Sequence, residues 1–397
     1  MTRPVQLTGI AWDHSRAFPP LVATAQRYEE LQSANGAATV RIRWEKRTLD
    51  EFGHMPIDQL APKFDLIVID HPWAGFAFEK KLVLDLKPRL AQTAFNHWSQ
   101  NSIGLNFDSY QYAGRLLALP IDAAAPAPSW RPDLLERAGA SPPASWKEAV
   151  ALARRKYAVI PGFNADLFLH FLMFLKALGA DPCSTPQELA PRDIMHTALD
   201  LLRDLTEFMP REIFSWNPIQ VAERMTTTDN FAWNAFGYTY NNYARPGFAR
   251  APLRFGNLIS LEPNGTRLRS VLGGTGVAIS SQCRNPEIAL DYASFIAGAI
   301  AQRTIYVNAG GQPSHASTWN DPATDALCGG FFSGTKATQE EAFVRPRYSG
   351  YVPLQTTGGT ALQEALRDGR SPNATLDKID ELYRASRKAG SQSFQIN

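Results

Sequence analysis

The 397-residue chain is poor in cysteine, in net charge and in long apolar runs. Its three cysteines, Cys183, Cys283 and Cys328, are widely spaced and form neither a CxxC pair nor a metal-type cluster. The net charge of +2 is too small for the strong field expected of a nucleic-acid-binding or membrane-adsorbing protein. No stretch reaches the roughly 18 apolar residues that a membrane-spanning helix needs. We therefore expect no nucleic-acid partner and no membrane span.

The chain is long and rich in aromatic residues. A chain of 397 residues exceeds one simple core, and two α/β domains are the ordinary expectation. Phe, Trp and Tyr make up 11% of the residues, and several of these rings stand beside turn residues rather than inside apolar runs. Rings placed in this way are available to contact flat ligand faces.

The N-terminal part alternates between strand and helix patterns. Strands are predicted over residues 5–10, 39–44 and 64–70, and helices over residues 20–31, over 49–60 with an interruption at Pro56, and after Pro72. The third strand is almost continuously apolar, as parallel strands covered on both faces are. This β-α-β-α-β order predicts a parallel, doubly wound α/β lobe.

The segment from Gly114 to Leu135 is interpreted as a crossing between two lobes. A short strand over residues 116–119 is expected to stop at Pro120 and Asp122, and a helix with an early proline begins near residue 131. We predict lobe I over residues 1–122, with segments returning from about 276–330. Lobe II is predicted over residues 123–275, with the C-terminal helices of about 331–397 packing across the hinge and lobe II.

Further elements follow the crossing. Ser145 with Glu148 three residues later is typical of a capped helix start. The GGTG stretch beginning at Gly273 is followed by no Lys-Ser/Thr, so it is not a nucleotide-binding P-loop. The other predictions are a strand over 157–161, a helix over 167–178 closed by Gly179, a helix over 192–209, a strand over 270–280, and helices over 287–301 and 374–388.

The candidate ligand-binding residues lie at the carboxyl ends of the predicted strands, where open α/β sheets bind ligands. Carboxylates there can accept hydrogen bonds from sugar hydroxyls, and an indole ring can cover the C–H face of a sugar. The alternative at each position is structural, with the tryptophans packing a lobe edge and His14 or Asp70 capping the next helix. The candidates after the first and third strands are Trp12, Asp13, His14, Asp70, His71 and Trp73.

The remaining candidates lie in the hinge and in the turns of the second lobe. Asp122 either binds ligand or ties backbone N–H groups, and Arg345 either clamps an anionic ligand or makes a salt bridge. Many of the aromatic side chains in this part of the chain must belong to the core. These candidates are Asp122, Phe163, Asn164, Trp233, Tyr238, Tyr240, Gly273, Gly274, Thr275, Gln312 and Arg345. Asp-His pairs also suit Zn or Mn, but no HxH or HExxH spacing is present, so no metal and no cofactor are expected.

Five segments in order resemble the family 1 extracellular solute-binding proteins of ABC importers, the carbohydrate-type group. They are DLIVIDHPWAGFAFEKKLVLDL, YAGRLLALPIDAAAPAPSWRPDLLERAG, PPASWKEAVALA, GGTGVAISSQCRNPEIALDYASFIA and AQRTIYVNAGGQPSHAS. The resemblance covers nearly the whole chain. It implies a two-lobed periplasmic-binding-protein-like fold of type II, with a hinge between the lobes and closure around a ligand in the cleft.

The resemblance also implies a function. The chain would be a monomeric solute-binding subunit that captures a small polar ligand, a sugar or sugar derivative or an anionic relative, and presents it to ABC permease transmembrane subunits without catalysis. A periplasmic location is expected; the start of the sequence has no apolar signal region, so a cytoplasmic location is the alternative. Two further hypotheses are an enzyme on the same fold, a thiaminase I-like transferase using a cleft cysteine, and a ligand sensor subunit.

Overall fold

The computed structural model describes residues 4–34, 39–262, 265 and 267–392. Within these ranges the strands are β1 (Val5–Trp12), β2 (Val40–Arg47), β3 (Leu66–Ile69), β4 (Gln111–Tyr112), β5 (Arg115–Leu116), β6 (Leu119–Asp122), β7 (Pro126–Trp130), β8 (Ala158–Val159), β9 (Trp233–Tyr238), β10 (Arg254–Phe255) and β11 (Thr275–Ile279).

The helices in the same ranges are α1 (Phe18–Ala34), α2 (Leu49–His54), α3 (Ala74–Glu79), α4 (Gln92–Asn101), α5 (Asn106–Ser109), α6 (Pro132–Arg137), α7 (Trp146–Arg154), α8 (Asn164–Ala177), α9 (Arg192–Thr206), α10 (Pro218–Thr227), α11 (Pro286–Ala297), α12 (Ala299–Ala301), α13 (Ala316–Trp319), α14 (Pro322–Leu327), α15 (Phe331–Glu341), α16 (Tyr351–Asp368) and α17 (Pro372–Gln392). Short 3₁₀ turns cover Ile57–Gln59, His71–Trp73, Lys87–Arg89, Arg211–Ser215 and Asn241–Ala244, and a π turn covers Gln302–Tyr306.

The chain divides into two compact units. Unit 1 comprises the chain up to Ala124 together with Gly273–Ala326 and Arg347–Ser349. Unit 2 comprises Ala125–Leu272, Leu327–Pro346 and the chain from Gly350 onward. In the part of the chain that the structure describes, no helix has the length and apolar character required to cross a membrane.

Unit 1 is built on a five-stranded sheet in the order β2-β1-β3-β11-β6. Strands β1, β2 and β3 are parallel and alternate with helices, which confirms the predicted β-α-β-α-β order. All four residues of β3 are buried, as its apolar sequence predicts. Strand β11 runs antiparallel to both β3 and β6, so the complete sheet is mixed.

The predicted end of the strand at Pro120 is wrong, because Pro120 lies inside β6, which ends at Asp122. Strand β6 is at the edge of its sheet, where a proline without an N–H interrupts no ladder on its outer side. The predicted strand over residues 270–280 is also too long, because β11 begins at Thr275. Gly274 has a φ of +91°, a left-handed conformation that cannot continue an extended strand.

Unit 2 contains a four-stranded sheet in the order β10-β7-β9-β8. Strand β7 was not predicted because its sequence, PAPSW, has two prolines. Pro128 falls where the register between β7 and β9 shifts, between Ala127 and Ser129, and such an irregularity tolerates a residue that cannot donate to the ladder. Because Pro128 lies at this bulge, the segment can form β7, a central strand of the sheet, despite its two prolines.

The helices of unit 2 pack around α8, whose residues from Leu167 to Leu175 are all buried. Helix α16 approaches α8 closely at two glycines. A side chain at Gly359 would overlap the backbone carbonyl of Asn164, and one at Gly358 would lie 2.6 Å from the Phe168 ring. The predicted cap of α7 is confirmed, because the Ser145 side chain accepts a hydrogen bond from the third residue of that helix.

Candidate functional site

The carboxyl ends of β1, β3 and β6 lie at the same edge of the unit 1 sheet, since β6 and β3 both run antiparallel to β11. Trp12 ends β1, Asp70 follows β3, and Asp122 ends β6 opposite Thr275, the first residue of β11. The folding of unit 1 therefore brings four of the predicted candidates to one edge, which we call the strand-end edge.

A buried ion pair lies at this edge. Nε of Arg16 donates to one carboxylate oxygen of Asp122 at 2.8 Å, and Nη2 donates to the other at 2.5 Å. Arg16 is 4% exposed and Asp122 is fully buried. Burial raises the pKa of Asp122, and the charge and hydrogen bonds of Arg16 lower it. The carboxylate thus binds a buried cation rather than backbone N–H groups.

Two carboxylates at the strand-end edge remain accessible. Asp13 is exposed and its carboxylate lies 2.9 Å from Nζ of Lys46. Asp70 is partly buried and accepts a hydrogen bond from the backbone N–H of His71 at 2.9 Å. Asp70 thus caps the His71–Trp73 turn, as the structural alternative proposes. Part of its carboxylate remains at the surface. Both side chains can accept hydrogen bonds from a polar ligand.

Two histidines lie at this edge. The Nδ1 atom of His14 accepts a hydrogen bond from the backbone N–H of Arg16 at 3.0 Å. Burial, reinforced by the Arg16 charge, lowers the pKa of His14 to about 4. His71 is completely buried, with its ring edge against Tyr110 and its Nδ1 atom 3.3 Å from Asp70. At neutral pH the His14 imidazole at this edge is therefore uncharged.

The two tryptophans predicted to cover a sugar face point into unit 1. Trp12 is 2% exposed and its ring lies 4.9 Å from the Phe52 ring. Trp73 is 5% exposed and packs edge-on against Phe76 at 5.4 Å. Their role as ligand contacts stays a prediction. In this structure both rings are buried within unit 1.

Backbone contacts fix the chain on either side of Asp122. The Nε2 atom of Gln312 donates to the carbonyl of Ala123 at 2.6 Å, and the Gln312 carbonyl accepts from the Ala123 N–H at 2.9 Å. The N–H of Gly273 donates to Ala124 at 2.7 Å. At Gly274 a side chain would overlap the Asp122 carbonyl. The predicted glycines and Gln312 thus lie beside Asp122 and hold its strand.

Unsatisfied polar groups also lie at this edge. The indole N–H of Trp12 and the hydroxyl of Thr275 are buried and make no hydrogen bond with the described residues. Buried polar groups of proteins are nearly always hydrogen-bonded to protein, water or ligand. The strand-end edge therefore has hydrogen-bonding capacity that the described residues do not use.

The unit 2 candidates fall into two groups. Phe163 and Asn164 begin α8, where the Asn164 amide donates to Oγ1 of Thr360 at 3.1 Å and so links α8 to α16. Tyr240 packs edge-on against Tyr243 in the turn after β9. Trp233 is completely buried in β9, and Tyr238 ends that strand and is partly buried. The ligand role of these five residues stays a prediction.

Arg345 is held within unit 2. Its Nε atom donates to the carbonyl of Leu272 at 3.0 Å, and Nη1 donates to the side chain of Gln355 at 3.3 Å. The guanidinium is 3% exposed. Arg345 therefore holds backbone and amide oxygens in this structure, and its proposed binding of an anionic ligand stays a prediction.

Sequence reasoning missed Arg16. The residue follows Asp13 and His14 in the same turn, and its type alone does not distinguish a surface arginine from a buried partner. The usable signal was the isolated Asp122 at another strand end, because a buried carboxylate needs a cation or several donors. That signal indicates a partner without saying which of the chain's basic residues it is.

The thiols are poorly suited to nucleophilic catalysis. Burial raises the pKa of Cys183 and of Cys283 to about 12, and the thiolate is the reactive form. Cys328 is buried, and its Sγ atom accepts a hydrogen bond from the Asn241 amide at 3.6 Å. None of the three cysteines forms a disulfide.

The fold matches that of several solved structures. The chain superposes on the maltose-bound MalE3 of T. maritima with a TM-score of 0.81 at 17% identity, covering 96% of this chain and 99% of the other. The tagatose-bound solute-binding protein of Thermotoga lettingae TMO gives a TM-score of 0.80 at 18% identity, covering 96% and 100%. The ribitol complex of a solute-binding protein from Agrobacterium radiobacter K84 gives 0.79 at 18% identity, covering 98% and 100%.

The sequence identifies the family directly. The profile of the bacterial extracellular solute-binding proteins matches residues 26–324, which is most of the chain. The chain therefore belongs to the bacterial extracellular solute-binding protein family. A comparison with curated protein sequences gives no match.

Proposed function

We propose that the chain is the solute-binding subunit of an ABC importer and captures a sugar or a polyol. The family assignment carries this proposal, since its profile extends over most of the chain. The superposed structures that contain maltose, tagatose and ribitol support the ligand class, because all three ligands are neutral and rich in hydroxyls.

The strand-end edge of unit 1 is our candidate for the part of the site that unit 1 supplies. The Asp13 and Asp70 carboxylates there can accept hydrogen bonds from sugar hydroxyls, and such charge-assisted bonds are stronger than neutral ones. The unused Trp12 and Thr275 groups lie along the same edge. A hydroxyl-rich ligand would meet acceptors and donors at this edge.

The existing contacts of Arg16 and Arg345 favour a neutral ligand over an anionic one. Arg16 is neutralised by Asp122, and Arg345 is engaged with the Leu272 carbonyl and the Gln355 amide. Binding of a carboxylate or phosphate by either guanidinium would require breaking a buried contact, which costs free energy. The anionic sugar derivative therefore stands as the less favoured alternative.

The wider role follows from the family. We infer delivery of the ligand to permease subunits, action outside the cytoplasm in the periplasm, and a monomeric state. The raised thiol pKa values support binding without catalysis over a transferase that uses a cysteine.

The test is calorimetric titration of the full chain with maltose, D-tagatose and ribitol, together with gluconate and glucose 6-phosphate as anionic probes. Asp70→Asn keeps the capping oxygen and removes the charge, so it should weaken binding of the recognised polyol at least tenfold. Asp58→Asn, which breaks the exposed pair of Asp58 with Lys80, is the matched control and should bind normally. Equal affinity in both variants would refute the assignment of Asp70, and absence of heat with all five probes would count against the ligand class.

A further inference from the structure

Two histidines from distant parts of the chain face each other on unit 1. His97 lies in α4, and His315 immediately precedes α13. Their Nε2 atoms are 3.5 Å apart and their ring centroids 5.6 Å apart. His97 is exposed, whereas His315 is 4% exposed, so the pair combines an accessible ring with a fixed one.

The backbone holds the two segments together. The N–H of Ile103, just after α4, donates to the carbonyl of Ser314 at 2.9 Å, and Ser102 forms a bridge with His315. The Gln302 side chain accepts hydrogen bonds from the backbone N–H groups of Ser314, at 2.8 Å, and of His315, at 3.3 Å. The separation of the rings is therefore set by the fold of unit 1.

A second residue orients the buried ring. The Nδ1 atom of His315 accepts a hydrogen bond from the backbone N–H of Ser317 at 3.3 Å and lies 2.8 Å from the hydroxyl of the same residue. This arrangement leaves the ring proton on Nε2, facing His97; a metal ion bound at Nε2 would displace that proton to Nδ1, from which the Ser317 hydroxyl can accept it. Histidines that bind metals commonly donate their other ring N–H to an oxygen in this way.

The distance matches the requirement of a shared metal ion. A Zn–N bond to histidine is roughly 2.0–2.1 Å long, and two such bonds at a tetrahedral angle place the nitrogens about 3.4 Å apart. We propose that His97 and His315 form a two-histidine site for a divalent transition-metal ion such as Zn²⁺, Ni²⁺ or Cu²⁺, with water completing the coordination. Among the described residues no group of three His, Cys, Asp or Glu side chains is suited to hold a metal, so the protein supplies two ligands.

The chemistry of the ligands sets the selectivity. Imidazole suits Zn, Cu and Ni, while Mg²⁺ and Ca²⁺ require oxygen ligands. Helix α4 contains no charged side chain that would supply a carboxylate. We expect Cu²⁺ to bind more tightly than Ni²⁺ or Zn²⁺, and Mg²⁺ to give no binding. A bound ion would fasten α4 to the segment before α13. This site is independent of the proposed sugar function.

The test titrates the full chain with copper, nickel, zinc and magnesium chlorides by calorimetry. His97→Gln removes the exposed ligand and should weaken Cu²⁺ binding at least tenfold, while His196→Gln, on α9 of unit 2, is the matched control and should leave it unchanged. Ser317→Ala should weaken binding by a smaller factor, up to about tenfold, because it removes the orienting hydroxyl.

A spectroscopic measurement makes the result independent of variant folding. Electron paramagnetic resonance of one equivalent of Cu²⁺ on the unaltered chain should show hyperfine coupling to two imidazole nitrogens. Stoichiometric binding with both nitrogens, lost in His97→Gln, would establish the site. Absence of stoichiometric Cu²⁺ binding, or equal binding by His97→Gln, would overturn the proposal and leave the pair as a histidine–histidine hydrogen bond.

Discussion

Arg16 and Asp122 form a bidentate ion pair that is almost completely shielded from solvent, with hydrogen bonds of 2.8 and 2.5 Å. The pair joins the turn after β1 to the last residue of β6 across the strand-end edge of unit 1. Tyr306 lies near enough for the Asp122 charge to contribute to the raised pKa of its hydroxyl, after burial. The ion pair thus lies at the edge where we place the unit 1 part of the ligand site.

Breaking this pair should destabilise the protein strongly. Asp122→Asn leaves the Arg16 charge buried without its counter-ion, and we expect a loss of about 3–5 kcal/mol in the free energy of unfolding, measured by urea denaturation. Glu30→Gln, which breaks the exposed pair of Glu30 with Arg27, should cost less than about 1 kcal/mol. Losses of equal size in the two variants would show that the buried pair contributes no more than a surface one.

Gly274 is expected to tolerate no side chain. Gly274→Ala combines a left-handed backbone with overlap between the new Cβ and the Asp122 carbonyl, so a loss of roughly 2–4 kcal/mol is expected. Gly114→Ala is the matched control, since Gly114 has a φ of +78° with open space around the Cβ position, and it should cost only about 1–2 kcal/mol. Thermal unfolding of both variants measures the difference, and the absence of a difference would rule out the steric contribution.

Asp166 should make stability depend on pH. This residue of α8 is 7% exposed, and burial raises its pKa to about 8. The unfolded chain releases the proton near pH 4, so between pH 4 and 8 the folded protein binds more protons, and stability falls as pH rises. Asp166→Asn removes this penalty and should gain at least about 1 kcal/mol relative to the unaltered chain on going from pH 5 to pH 8.

Urea denaturation at the two pH values measures this effect. Asp193→Asn is the control, because Asp193 is an exposed carboxylate in the first turn of α9. It should change stability by less than about 1 kcal/mol at either pH. If Asp166→Asn behaved like the control, the carboxyl would be ionised in the folded protein.

The thiols should be slow to react. With a pKa of about 12, Cys183 and Cys283 are thiolates in roughly one molecule in 10⁴ at pH 8, whereas an ordinary cysteine is about a quarter ionised. Alkylation by iodoacetamide, followed by mass spectrometry, should therefore be at least about 100-fold slower in the folded protein than in urea. Rapid labelling of either residue in the folded protein would favour the transferase hypothesis.

The accuracy of prediction from sequence differed among elements for physical reasons. Residues 64–70 have one pattern that fits only a buried strand, and the structure has β3 there. The proline-containing segments 119–122 and 126–130 were not predicted as strands, because local preference opposes that conformation. Their pairing with β11 and with β9 and β10 decided the outcome, and those partners are distant in sequence.

The sequence by itself determined the alternation of strands and helices, the family resemblance, and the presence of polar residues after strands one and three. These are properties of neighbouring residues, since side-chain periodicity and capping act over a few positions. The tertiary structure alone decided that Arg16 pairs with Asp122, that the Trp12 and Trp73 rings face inward, and that His97 meets His315. Each depends on segments brought together by packing of the whole unit, about which local spacing carries no information.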